Sequence, residues 1–147
     1  MTVNVGIRMS NIGEYLRVFV VDVEKEEMYE MDMPNTLKDM KRLTGAGCID
    51  IDDILIGDMQ LKAIFGSTVN DKMHISCINP EGKTVYRGNI IIVASRKEPD
   101  GVEMLCGLND EEIKALLYNT GLMTIDASGN TGEKYNAYVL CNIKVKQ

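Results

Sequence analysis

Asn89 to Ser95 reads Asn-Ile-Ile-Ile-Val-Ala-Ser, and three isoleucines followed by a valine leave no position to alternate toward water. Such a strand must be covered on both faces, so the run predicts the central element of a sheet against which the remaining chain packs. Lys97-Glu98-Pro99-Asp100-Gly101 places Pro and Gly at turn positions, and Val102 to Leu105 then returns as the paired strand. Elsewhere the apolar positions alternate. Thr2 to Met9 carries Val3, Val5 and Ile7, the pattern of a half-buried strand, and Ser10 to Gly13 is a loop. Leu16 to Val23 is a strand with the continuous centre Val18-Phe19-Val20-Val21; the acidic run Glu24 to Glu27 turns it into Met28 to Met33, completing a long hairpin.

A spacing of three and four replaces the alternation at two places. Asn35 is a helix cap, Leu37, Met40 and Leu43 form an apolar stripe, and Gly45 falls where a C-terminal glycine belongs, which predicts a helix from about Thr36 to Thr44. Asn109-Asp110-Glu111-Glu112 has the form of a capping box, with acids suited to the positive helix end, and predicts a helix from about Asp110 to Tyr118 with Ile113, Leu116 and Leu117 buried. Cys48 to Ile56 is a strand with a break at Asp52-Asp53, and Met59 to Phe65 fits a strand or a short helix. Met73 to Ile78 and Thr84 to Tyr86 form a second hairpin about the turn Asn79-Pro80-Glu81-Gly82. Leu122 to Ile125 is a short strand, Ala127 to Lys134 a loop, and Tyr135 to Val145 a last long strand. Two helices among about eight strands, most joined by tight turns, predict an α+β domain with a mainly antiparallel sheet spanning residues 1–147 as one unit.

Composition narrows the classes of function. A net charge of -6 disfavours direct contact with nucleic-acid phosphates or anionic lipid, which needs clustered Lys and Arg. There is no basic-then-apolar leader and no run of about 18 apolar residues, so a cytoplasmic chain without membrane contact is expected. Cys48, Cys77, Cys106 and Cys141 lie roughly thirty residues apart, unlike the close pairs of zinc sites, and are expected to be free thiols. Neither a metal nor a cofactor is expected.

No nucleophile, base and orienter grouping stands out, so no catalytic residue is assigned. His74, the one histidine, lies in an alternating strand and reads as structural; Cys106, before Gly107 and a helix start, reads as the buried end of a strand. The basic residues Lys83, Arg87, Arg96 and Lys97 flank the central hairpins of an otherwise acidic chain, and are the candidate site for a small anionic ligand. Surface solubilisation and edge protection are the alternative reading of the same four residues. A different class of function, a metal-dependent hydrolase, would use Asp50, Asp52 and Asp53 as ligands, with His74 or Glu81 as base.

The order of these pieces resembles an uncharacterised family of small proteins from bacteriophages and conjugative elements. The resemblance runs from about Leu16 to Leu117: the strand Leu16 to Val21, the helix Asn35 to Leu43 with Gly45-Ala46-Gly47 and Ile49, the turn Asn79 to Lys83, the strand Gly88 to Val93, and Leu108-Asn109-Asp110-Glu111-Glu112-Ile113. It implies a mobile-element origin and, by association, an accessory role that counters host defence by binding a nucleotide-like signal or a host protein. It assigns no site residue. The terminal strands Thr2 to Met9 and Tyr135 to Val145 are expected at the sheet edges. Tyr138 and Leu140, left over on the second face of the latter, predict a homodimer through it.

Overall fold

The computed structural model describes residues 7–8, 14–70, 72–126 and 134–146. The strand expected over Thr2–Met9 and the loop expected over Ala127–Lys134 lie outside these residues, apart from the pair Ile7–Arg8 and Lys134. Twelve strands and two helices occur among the described residues. In chain order they are β1 (Ile7–Arg8), β2 (Tyr15–Asp22), β3 (Glu27–Pro34), α1 (Leu37–Thr44), β4 (Ile49–Ile56), β5 (Met59–Gly66), β6 (Ile75–Ile78), β7 (Thr84–Arg87), β8 (Ile90–Lys97), β9 (Glu103–Cys106), α2 (Asp110–Tyr118), β10 (Thr120–Asp126), β11 (Lys134–Leu140) and β12 (Ile143–Val145).

The apolar run predicted to be central is β8. It pairs antiparallel with β2, β5 and β9, the first and last sharing one of its edges in succession. Ile90, Ile92 and Ala94 enter one core and Ile91 and Val93 the other, which is why the run could not alternate. Beyond these neighbours, β3 flanks β2, β4 flanks β5, β12 flanks β4, and β1 lies parallel to β9, completing an eight-stranded sheet. The pairing is mostly antiparallel and, with the two helices, makes an α+β fold. A second sheet of four strands, in the order β10-β11-β6-β7, packs across one face of the first. The alternation along the chain predicts one sheet, and the structure divides the strands between two.

Two local features depart from expectation for definable reasons. Asp52-Asp53 does not break β4, which runs unbroken against β5 over eight pairs. The strand instead changes its buried face there: Ile49 and Ile51 lie under α1, whereas Ile54 and Ile56 lie under the small sheet. At the C-terminus one long strand is replaced by two. Asn142 adopts a left-handed conformation (φ 63°) and its side chain donates to Asn119 Oδ1 at 2.9 Å, bending the chain so that β11 joins the small sheet and β12 the large one. β11 lies between β10 and β6 in the small sheet, joined to β6 at Leu140 opposite Cys77, and Leu140, expected on an exposed face, is fully buried.

The helices are set by their caps. On α1 the N-cap is Thr36 rather than Asn35. Thr36 accepts from the Asp39 N–H at 3.1 Å, while Asn35 is buried and its own N–H is spent on the Glu14 carbonyl. Gly45 ends the helix at φ 70°, where its lack of a Cβ is needed. The capping box of α2 forms as read, Asn109 and Glu112 each accepting the other's backbone N–H at 2.8 Å. Ile113 and Leu116 are buried, whereas Leu117 is exposed. Arg17 on β2 anchors this helix: its guanidinium joins Glu30 and Asp110, each at 2.6 Å, and the Leu108 N–H donates to its carbonyl. A Cβ at Gly107 would stand 3.0 Å from the Arg17 nitrogen, so the chain passes too close there for a side chain to be added freely.

Candidate functional site

The face of the large sheet that carries α1 is not covered over its whole length. Beneath the helix, Ile51, Ile64 and Ile91 pair in a row across β4, β5 and β8. Two residues further along the same strands the row is Asp53, Lys62 and Val93, and beyond it the surface turns polar. A cavity of about 300 Å³ opens at this place. Asp53, Lys62, Ser95, Lys97, Glu103 and Lys146 are among its lining residues, with Arg96 and Gln60.

Lys62 is the organising group. It is only 5% exposed, and an ammonium so placed must find anionic partners or lose its proton. Its Nζ pairs with the Asp53 carboxylate on β4, directly opposite in the ladder, and with Glu103 on β9, reached across β8, at 2.5 Å. Burial disfavours the charged form, but the hydrogen bonds to Asp53 and Glu103 outweigh it and raise the Lys62 pKa. The group is therefore a fixed positive charge at neutral pH. Glu103 is partly shielded and Asp53 is half exposed, so both carboxylates also face the opening. Lys146, at the end of the described chain, reaches in from β12 and donates to Gln60 Oε1 at 3.2 Å. Lys97 lies on the same strand face as Ser95, two residues from it, whereas Arg96 projects to the other face and pairs with Glu98 at 3.2 Å. Three basic side chains, those of Lys62, Lys97 and Lys146, thus meet two carboxylates around one space.

The four basic residues singled out in the sequence do not form one constellation. Arg96 and Lys97 line the cavity just described. Arg87 ends β7 and donates to the Met73 carbonyl at 2.8 Å; it lines a separate cavity of about 200 Å³ with the Gly45-Ala46-Gly47-Cys48 turn and Asn89. β8 separates the two, eight residues of strand covering roughly 25 Å. Lys83 is exposed in the turn after β6, where its N–H, with that of Glu81, is held by the Asn79 side chain. Lys62, Glu103 and Lys146 were not anticipated. Lys62 carries a signal all the same: it sits between Leu61 and Ala63-Ile64, a charge inside an apolar stretch that fits a strand or a short helix.

The carboxylates considered as metal ligands are divided by the pleat. Asp50 and Asp52 share one face, as expected, and Asp53 points from the other. Asp52 accepts from the Tyr86 hydroxyl at 2.6 Å, tying β4 to the small sheet. Burial of the Tyr86 ring, followed by that bond to an anion, pushes its pKa far above the ordinary phenol value. Among the described residues no three His, Cys, Asp or Glu side chains come together as a metal group. His74 stacks on Tyr135, ring centroids 3.9 Å apart, and the Tyr135 hydroxyl accepts the Ile75 N–H, a structural use of the ring. Burial raises the Cys106 thiol pKa, working against a resting thiolate. No helix among the described residues is long and apolar enough to cross a membrane.

In comparisons with protein-family models, curated proteins and solved structures, none matches this chain.

Proposed function

We propose that the protein is a non-enzymatic binding protein that takes a small anionic, nucleotide-like ligand in the Lys62 cavity. The observation that supports this reading is the meeting of Lys97 and Lys146 with the buried Lys62 around one space of about 300 Å³. That volume is at the lower end of small-molecule sites. Ammonium groups at Lys97 and Lys146 suit phosphate oxygens, while Asp53 and Glu103 offer acceptors for ribose hydroxyls or a base amino group. Lys62, held in place by those two carboxylates, is preorganised, so binding does not have to order it. The motif order along the sequence adds the setting: a phage or mobile-element accessory, acting in the bacterial cytoplasm, that counters host defence by sequestering such a ligand.

Calorimetry with a panel of linear and cyclic nucleotides and inorganic phosphate tests the reading. The expected result is binding of at least one nucleotide, weakened about tenfold by Lys97→Ala, the loss of one charge-assisted contact. Arg87→Ala and Lys83→Ala, outside the cavity, should leave the affinity unchanged. Absence of heat with every compound, or a loss that follows Arg87→Ala instead, overturns it.

A further inference from the structure

The strand edges of the molecule are protected unequally. On the large sheet β3 is edged with Glu27, Glu30 and Asp32 and ends in Pro34, and β12 is three residues long with Lys144 inside it and Lys146 just beyond. On the small sheet β7 has four residues and ends in Arg87. Charges, proline and shortness are the usual means of keeping an edge from pairing with another chain. β10 is longer than β7 or β12, has no proline, and carries its one charge at its last residue, Asp126. Its seven residues pair with β11 in an unbroken register, so its outer edge is a regular row of backbone donors and acceptors with no partner strand among the described residues.

The surroundings of that edge are apolar. Of the seven large hydrophobic side chains exposed among the described residues, four fall within seven positions: Leu117, Tyr118, Leu122 and Met123. Ala115 to Ile125 contains no charged residue, although 26% of the chain is charged. We propose that β10 pairs antiparallel with β10 of a second copy about a two-fold axis at Met123, joining the two small sheets into one of eight strands.

Self-pairing satisfies the electrostatics. Two copies of net charge -6 repel, and an uncharged strip is where they can approach. The two-fold register sets Thr120 against Asp126, Gly121 against Ile125 and Leu122 against Thr124, with no like charges opposed. Tyr118, 89% exposed, with the three other side chains offers about half of the ~800 Å² per partner that a standard interface buries, the edge backbone and its flanks supplying more. The pairing does not depend on the ligand reading. It places the dimer contact on β10 and not on the terminal strands.

Light scattering after size exclusion, over about 1 to 500 µM, should give twice the 16.4 kDa chain mass at the upper end. Leu122→Lys sets two ammonium groups diagonally across the axis and should weaken the dimer at least about tenfold. In a Cys48→Ser background, Met123→Cys should form an intermolecular disulfide under air, because directly opposed antiparallel residues have Cα atoms about 4.5–5.5 Å apart, within disulfide reach. Tyr15→Cys, on the other sheet, should not. A monomer mass at every concentration overturns the proposal. So does a dimer that survives Leu122→Lys and gives no cross-link at position 123.

Discussion

Two halves of one sheet face are built from the same strands and solve opposite problems. Under α1 the row Ile51, Ile64 and Ile91 is apolar and closed; one row further, Asp53 and Lys62 replace isoleucines, and the face opens into a polar cavity. Stability alone does not call for the second arrangement, since well-packed hydrophobic residues commonly serve as well as a buried ion pair or better. A buried lysine flanked by two carboxylates is costly to assemble, yet it fixes three charged groups in known positions. That is what a recognition site needs and what a core does not.

The comparison is broken most severely from the apolar side. Ile91→Ala removes a fully buried side chain from the centre of the row under α1, and denaturant unfolding should show a loss of about 2–5 kcal/mol. On the polar side Lys62→Met should cost less, about 1–3 kcal/mol. It leaves two carboxylates facing each other, but Asp53 is half in water and the repulsion is screened. If Lys62→Met were as damaging as Ile91→Ala, the polar half would be a structural core after all. At the edge of the apolar half, Thr36→Ala deletes the α1 cap and should cost about 1 kcal/mol.

Alkaline titration sharpens the same contrast. The folded pKa of Lys62 is raised above its unfolded value of about 10.4, so its contribution is complete below that pH and is lost as pH rises through the higher folded value. Wild type should therefore lose more stability than Lys62→Met as pH rises above the unfolded value of about 10.4, measured as the difference in denaturant midpoint. Parallel profiles would mean that the ammonium gains nothing from its partners. The smallest effect expected is that of a chelator. Melting with EDTA and with millimolar magnesium should agree within about 1 °C, whereas a stabilising ion, lost in Asp50→Asn, would favour a metal-assisted hydrolase.

How much of this the sequence disclosed depends on whether a residue's environment is local. The Ile90–Val93 run, the Asn109–Glu112 box and Gly45 announce themselves, because burial on two faces, capping and left-handed backbone are decided within a few positions. The face change in β4 and the bend at Asn142 depend on where α1 and the small sheet happen to lie, which no window of sequence contains. The cavity is less legible still. Arg96 and Lys97 were found because they are basic residues in an acidic chain, but Lys62, Glu103 and Lys146 come together across β4, β5, β8, β9 and β12, and nothing short of the sheet order brings them to one place.

The most direct test of the cavity as a binding site is NMR observation of the lysine ammonium groups during titration with the nucleotide that binds in calorimetry. Lys62, buried and hydrogen-bonded, should give a slowly exchanging signal before any ligand is added. On titration its resonance and those of Lys97 and Lys146 should shift together and saturate at one equivalent, while Lys83 and Lys25 stay fixed. Saturation with the Lys62 signal unmoved, or with Lys83 moving in its place, would contradict the account.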